Sequence, residues 1–539
     1  MSAFDRLWAV REREDIALPT PPNFREFITN SRGDNVPLIL RPYQQQMVVH
    51  ILSVPRFVVG DDCGLGKTIE SIAGLCQIWK RDPNHKAVVL TKKSSVPQWE
   101  DEFEKFTTGV EVFMAIGSPK KRAVAQKAWA ETEGPTVLIQ GYTSACNDFS
   151  TMQHWEGYTL ILDEVTVVKN PGTRVHKVCR HYSAQATRCW GLTATLIKNN
   201  LLEGYGVYKV VKPALFPYSK NAFINQFCIT KMQRVGNGRM VPQIVGYRPS
   251  DIVKFRDKIQ GTQTDDLDGT KPTGEPSYLG RPKHAVAKDL PVLTTRTVKV
   301  GMSKFQHEKY QEALAGLLEM GDGDEKETTQ LTALIYCQEI VNHPALIGFD
   351  AGYKSEKLDA LLSMLTEGGD LHGEKVIVFT RFKVMVNTAI PHLEKEGIKC
   401  VRVTGDENEF QRREAMKAFQ DYNNETRVIF ITMAGGDAIN LQSAKALVFY
   451  DSPWSAGDYL QIIGRMIRIG SENDTCYAVH LVCRDTIDER VGQVVRKKMK
   501  LIEQVLGERV KGQDDEVIGA GSDIKDLFEA MVVDARKAR

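Results

Sequence analysis

Eight consecutive residues, Asp61-Asp62-Cys63-Gly64-Leu65-Gly66-Lys67-Thr68, have the types and spacing to hold a triphosphate. Gly64 and Gly66 let backbone N–H groups turn inward where a helix begins, and a helix N-terminus favours an anion. Lys67 would reach the β- and γ-phosphates, and the Thr68 hydroxyl would sit on Mg2+. Asp62 and Leu65 belong to the same cradle. The strict form of such a loop has glycine where this chain has Asp61.

Further groups suit the chemistry that a bound triphosphate undergoes. Asp163-Glu164 closes the apolar run Leu160-Ile161-Leu162. Asp163 would hold Mg2+ through its water shell, and Glu164 would polarise an attacking water. Gly191-Leu192-Thr193-Ala194-Thr195 also follows an apolar run and offers two hydroxyls. In Gln461-Ile462-Ile463-Gly464-Arg465-Met466-Ile467-Arg468 the arginines are three apart, which on a helix puts both on one face. A planar guanidinium suits developing phosphoryl charge, so Gln461, Arg465 and Arg468 join the catalytic candidates. A solvated strand end, a capping turn or a basic helix face accounts for each of these taken singly.

The elements that position these groups are legible as short apolar runs. Phe57-Val58-Val59 precedes the glycine loop, and Ile69 to Leu75 follows it as an amphipathic helix. Ala87–Leu90, Val137–Ile139, Leu160–Leu162 and Cys189–Leu192 continue the series. Val376–Phe379, Val401–Val403, Val428–Ile431, Ala446–Phe449 and Ala478–Leu481 form a second one. Continuous apolar runs between helical segments predict an α/β protein with parallel sheets covered on both faces. The expected organisation is a lead-in at 1–36, a nucleotide-binding unit at 37–204, a helical region at 205–345, a second α/β unit at 346–508 and a tail at 509–539. A mobile loop is expected at 261–276. Only the first unit has a glycine-lysine cradle, which places the nucleotide in a cleft between the two.

Composition narrows the partners. Net charge is only +2, so nucleic-acid contact must come from local patches. The ten cysteines show no metal-ligand spacing, and free thiols suggest a reducing, cytoplasmic compartment. No apolar run approaches a membrane span of roughly 18 residues. Loop groups suited to a phosphate backbone are Lys92-Lys93-Ser94, Tyr142-Thr143-Ser144, Lys169-Asn170 with Thr173-Arg174, Arg381 and Thr404-Gly405.

Taken in order, the motifs resemble the Swi/Snf family of superfamily-two helicase-like ATPases. Residues 61–68 look like its DExGLGKT loop, where the first glycine is absent. Leu40-Arg41-Pro42-Tyr43-Gln44 resembles its adenine-reading segment, and Val96-Pro97-Gln98-Trp99-Glu100 its P-x-x-W stretch. Leu192-Thr193-Ala194-Thr195 is similar to LTGTP, and Asn342-His343-Pro344 to the end of CNHP. Ala434-Gly435-Gly436 with Ile439-Asn440-Leu441 resembles AGGxGINL, and Asp451 to Gly470 the family's arginine-bearing segment.

The resemblance implies two RecA-like lobes with helical protrusions and ATP-driven translocation along duplex DNA. It implies that Arg41 and Gln44 face adenine, and that Thr432, Gly435 and Trp454 lie near DNA. The implied requirements are ATP, Mg2+ and duplex DNA, with no membrane, no other small substrate and a monomeric state. Three departures stand out. The DEAH box reads Asp163-Glu164-Val165-Thr166, without the coupling histidine. Ser471 replaces a glutamine after Gly470, and Ser455-Ala456 replaces Asn-Pro after Trp454. The alternatives are a helicase acting on forked or branched DNA, for which Phe227 to Tyr247 offers a weak likeness, a weakly hydrolysing ATP-regulated clamp, and RNA remodelling.

Overall fold

The computed structural model describes residues 18–29, 35–197, 200–235, 239–265, 269–286, 290–321, 327–434, 439–468, 471, 473–506, 518–519, 527–528 and 531–533. The chain divides into two compact units. One comprises Met1–Lys288 with Ile502–Ala520, the other Asp289–Leu501 with Gly521–Arg539.

Each unit is built on a parallel sheet. In the first the strands are β1 (Arg56–Val59), β2 (Lys86–Thr91), β3 (Glu111–Ala115), β4 (Thr136–Gly141), β5 (Thr159–Asp163), β6 (Arg188–Leu192) and β7 (Tyr278–Leu279). They lie in the order β7-β1-β6-β5-β2-β4-β3, and every neighbouring pair is parallel. In the second unit they are β8 (Val292–Val300), β9 (Val376–Phe379), β10 (Lys399–Val403), β11 (Thr426–Ile431), β12 (Ala446–Phe449) and β13 (Thr475–Cys483). Their order is β8-β13-β12-β9-β11-β10, again parallel throughout. All ten predicted apolar runs lie in strands, and the central ones are buried on both faces, as parallel sheets require. Val58, Val89, Ile161, Val378 and Val448 are all fully buried.

The strands without such a run are β3, β7 and β8, all of them sheet edges. β8 alternates exposed threonine and lysine with half-buried residues, a pattern of one covered face. It and β7 also revise the expected boundaries. The region 205–345 is not a single insertion: β7 completes the first sheet and β8 the second, so the division falls at Lys288 and Asp289. Within the first unit, Phe216 stacks on Phe255 at 5.6 Å and 9°, with Phe223 against both. These rings give the helices Leu201–Val211, Lys220–Phe227 and Pro249–Gln260 a small core of their own.

Within 261–276, where a mobile loop is expected, Thr262–Asp265 pairs antiparallel with Gly269–Pro272, and residues 266–268 lie outside the described residues. Part of the lead-in is tied down: Phe24 is buried, Leu18 N–H donates to Gln45 Oε1 at 3.0 Å, and Phe27–Thr29 pairs with Asn35–Pro37. In the tail, Ile518–Gly519 pairs with Gly246–Tyr247, and Leu527, Phe528 and Met531 are buried. Among the described residues, no helix is long and apolar enough to cross a membrane.

Candidate functional site

The glycine loop leaves the C-terminal end of β1 and enters the helix Lys67–Trp79. Gly64 has φ +89° and Gly66 φ +98°, the left-handed region that L side chains avoid. A Cβ on Gly66 would also fall 2.5 Å from Gln44 Nε2. Inside the loop, Lys67 Nζ donates to the carbonyls of Asp61 at 2.6 Å and Asp62 at 3.2 Å. The ammonium therefore rests on its own loop, at the mouth of a helix N-terminus suited to a phosphate.

Helix Pro42–Ser53 holds the loop from the other side. Tyr43 Oη and Gln44 Nε2 both donate to the Leu65 carbonyl, at 2.8 and 2.9 Å. Gln44 Oε1 accepts from Arg41 N–H at 2.9 Å. Burial raises the Tyr43 phenol far above its ordinary range and keeps it a neutral donor. Gln44 thus has one end on the phosphate loop and one on the helix start, a loop-holding role beside the expected one at adenine.

The sheet brings the separate motifs to one edge. Val59 pairs with Leu192, and Leu192 with Asp163, so three strands end in register. At ordinary strand spacing, Asp163 stands about 10 Å from the start of the phosphate loop. Thr193 N–H donates to Val59 O at 3.0 Å, and Thr193 Oγ1 accepts from Thr195 N–H at 3.1 Å. Asp163 Oδ2 accepts from Thr91 Oγ1 at 2.7 Å and Trp99 Nε1 at 2.9 Å. Glu164 follows with φ +50°, a strained conformation for a non-glycine residue, at the tip of the strand.

These groups fit Mg2+. Both donors to Asp163 fall on Oδ2, leaving Oδ1 for a hydrated cation, and Thr68 stands half-buried in the first turn of the loop helix. Magnesium keeps several waters and leans on one or two carboxylates plus phosphate oxygens. It needs no cage, and among the described residues no group of three His, Cys, Asp or Glu side chains could hold a metal ion by itself.

In the second unit, buried Asp451 is the hub. It accepts from Asn342 Nδ2 at 3.0 Å, Thr380 Oγ1 at 2.5 Å and Arg381 N–H at 3.0 Å. Lys357 pairs with Asp488 at 2.6 Å and donates to Asn342 Oδ1 at 3.0 Å. The Arg381 guanidinium lies 4.1 Å from the centre of the Trp454 ring, and Gln338 Oε1 accepts from both side chains. Two DNA candidates are therefore a stacked pair on a shared glutamine. Gln461 is half-buried and Arg465 buried in helix Ala456–Met466. The helix stops there, with Ile467 extended, so Arg468 lies past its end and the two arginines do not share a helix face. Arg468 Nε donates to Gly464 O at 2.9 Å.

Several loop candidates have partners within the chain. Tyr142 is buried and donates to Asp163 O at 2.7 Å. Lys169 is paired with Glu203 at 2.6 Å. Thr173 caps the helix Arg174–Gln185, and Thr404 is buried against Glu407. Thr432 is buried as well. Asn170 Oδ1 accepts from Gly172 N–H at 3.0 Å. Lys93, Thr143, Asn170 and Gly405 are exposed and Lys92 half-buried, while Gly435 lies outside the described residues. Sequence reasoning assigned no role to Thr91, Trp99 or Arg281. Trp99 stood in a quoted motif, but its partner is 64 residues away.

Comparison with known proteins adds to this. The family model described as SNF2-related domain matches residues 43–346, and that described as Helicase conserved C-terminal domain matches 356–470. The chain is 27% identical over 466 residues to "Chromodomain-helicase-DNA-binding protein 1-like" of Mus musculus, covering 83% of this chain and 47% of that protein. It is 25% identical over 483 residues to an "Uncharacterized ATP-dependent helicase" of Mycoplasma pneumoniae, covering 87% and 42%. It is 25% identical over 485 residues to "SWI/SNF-related matrix-associated actin-dependent regulator of chromatin subfamily A member 1" of Homo sapiens, covering 86% and 43%. The chain thus spans under half the length of these relatives. A solved structure, "Sulfolobus solfataricus SWI2/SNF2 ATPase core in complex with dsDNA", aligns with a TM-score of 0.41 at 20% identity, covering 92% of this chain and 100% of that one.

Proposed function

Because this chain belongs to the SNF2-related family, we propose that it is a DNA-dependent ATPase of the Swi/Snf type, which hydrolyses ATP to translocate along or remodel duplex DNA. The observation that carries the reading is the shared sheet edge, where the Lys67 loop, Thr193 and Asp163 end three adjacent strands in register.

In this reading, Lys67 exchanges the Asp61 and Asp62 carbonyls for the β- and γ-phosphate oxygens. Thr68 and Asp163 hold Mg2+, which when bound neutralises charge on those oxygens. Glu164 orients the attacking water. Arg465 and Arg468 are the proposed guanidinium donors to the developing phosphoryl charge, with Gln461 assisting. Arg41 and Gln44 serve the adenine end. Arg381 and Trp454 lie along the duplex with the exposed loop groups Lys93, Thr143, Asn170 and Gly405.

A second reading, action on forked or branched DNA, draws on the hairpin Ile229–Val235 and Arg239–Tyr247, which exposes Met232 and Met240. Phosphate release measured with blunt duplex, forked duplex, single-stranded DNA and duplex RNA tests both. Strong stimulation by blunt duplex is expected. Rates unchanged by any DNA would overturn the motor reading, and stimulation confined to forks would favour the second.

A further inference from the structure

Asp61 stands where a strict phosphate loop has glycine, and its side chain is fully buried. The group that neutralises it comes from 220 residues away. Arg281 donates to Asp61 Oδ1 from Nε at 3.0 Å and from its backbone N–H at 3.0 Å, and to Oδ2 from Nη2 at 2.5 Å. A planar guanidinium engaging both carboxylate oxygens fixes direction as well as charge. The same segment takes hold of the next residue. Asp62 N–H donates to Arg281 O at 3.1 Å, and Lys283 N–H donates to Asp62 Oδ2 at 2.9 Å.

The clamp continues on both sides. Arg281 Nη1 donates to Tyr43 O at 2.6 Å, with the guanidinium 5.2 Å from the Tyr43 ring centre, and the Tyr43 hydroxyl holds Leu65 O. Glu70 in the loop helix is fully buried, with Oε1 3.7 Å from Arg281 Nη2. Burial first, then the neighbouring Asp61 charge, pushes its carboxyl well above the usual range. Ahead of Arg281, β7 pairs with β1 so closely that a Cβ on Gly60 would fall 2.3 Å from the Tyr278 ring.

The carbonyls that Lys67 rests on belong to Asp61 and Asp62, the two residues that Arg281 and Lys283 clamp. We propose that Arg281 is a positioning residue for triphosphate binding, acting through Asp61 and Asp62 to hold the Lys67 loop in the shape that receives phosphate. The segment that carries it is also the last described stretch of the first unit before the chain crosses at Lys288. The inference rests on the phosphate-loop reading above.

The test uses the full chain as parent, Arg281→Lys, Arg281→Met and the double variant Asp61→Asn with Arg281→Met. A fluorescent ADP analogue gives the nucleotide Kd, steady-state turnover with saturating duplex DNA gives KM and kcat, and a thermal scan gives the midpoint. Arg281→Lys keeps the charge and loses the fork, and is expected to raise Kd and KM by about tenfold or more, with kcat changed far less. The double variant removes the unpaired buried carboxylate, so it recovers the midpoint but not the affinity. Parent-like Kd and KM in Arg281→Lys and in the double variant, with only the midpoint lowered in Arg281→Met, would make the residue merely structural and overturn the proposal. A parent chain that binds no nucleotide would instead overturn the phosphate-loop reading, and the inference with it.

Discussion

Trp99 Nε1 donates a 2.9 Å hydrogen bond to Asp163 Oδ2, joining the helix Val96–Phe106 to the tip of β5. With Thr91 on the same oxygen, the carboxylate has a fixed direction. Trp99→Phe keeps the packing and removes one donor. Turnover should fall about tenfold, the equivalent of about 1.4 kcal/mol, with nucleotide affinity nearly unchanged. Single-turnover hydrolysis beside equilibrium binding measures this, and a parent-like rate constant would assign the bond no catalytic consequence.

Lys67 rests on carbonyls of its own loop and, among the described residues, holds no distant element. Lys67→Ala should therefore leave the thermal midpoint within a few degrees of the parent while turnover falls about 100-fold or more. Detectable, DNA-stimulated hydrolysis at the parent rate would remove Lys67 from the triphosphate site.

Arg465 and Arg468 differ in setting, one inside the last turn of a helix and one past its end. As guanidinium donors to the transition state, each should cost on the order of 10³-fold in turnover when changed to alanine. Their losses need not match, because they approach from different backbone. ATPase activity of Arg465→Ala equal to the parent at saturating duplex DNA would refute the role.

Lys169 is the clearest case in which a candidate DNA contact has another task. Its ammonium sits 2.6 Å from Glu203, whose side chain is 7% exposed. Lys169→Ala removes this ion pair from a buried carboxylate, at a cost of about 1–3 kcal/mol after allowing for the partly exposed lysine. Glu203→Gln in the same chain should restore much of the loss. The thermal midpoint checks this, while the salt dependence of duplex binding should not move. A salt slope shallower by about one would return Lys169 to the phosphate backbone.

His480 predicts a pH effect in the second unit. Its ring stacks on Phe449 at 4.8 Å and 6°, and burial, with Arg496 adding to it, lowers its pKa from 6.5 to about 4. The unfolded chain binds a proton near pH 6.5 that the folded chain refuses until about pH 4. The stabilising contribution is thus complete above pH 6.5 and is lost as pH falls through that window, by about 3 kcal/mol in all. His480→Phe keeps the stack and should flatten this part of the curve. Urea midpoints at pH 7 and pH 5 for both chains test it. An equal drop in both would assign the pH effect elsewhere.

The strands were legible because a parallel strand covered on both faces must be apolar along its whole length. Val376–Phe379 and Leu160–Leu162 show this directly. Edges escape the rule, so β7 and β8 were hidden in a region that reads as helical, and with them the boundary between the units. The intramolecular partners of the DNA candidates were not legible, since lysine, threonine and tyrosine in a loop look alike whether they meet solvent, a buried carboxylate or a neighbouring carbonyl.

By itself, the order of residues determined the phosphate loop, the carboxylates at a strand tip and the two-sheet architecture. These rest on local rules: glycine at positive φ, a helix N-terminus, and hydrophobic periodicity. Only the tertiary structure decided which groups hold those residues in place. Arg281 on Asp61, Trp99 on Asp163 and Lys169 on Glu203 are contacts across 220, 64 and 34 residues. A buried charge needs a partner of matching shape, and the identity of that partner depends on which strands the folded sheet makes neighbours.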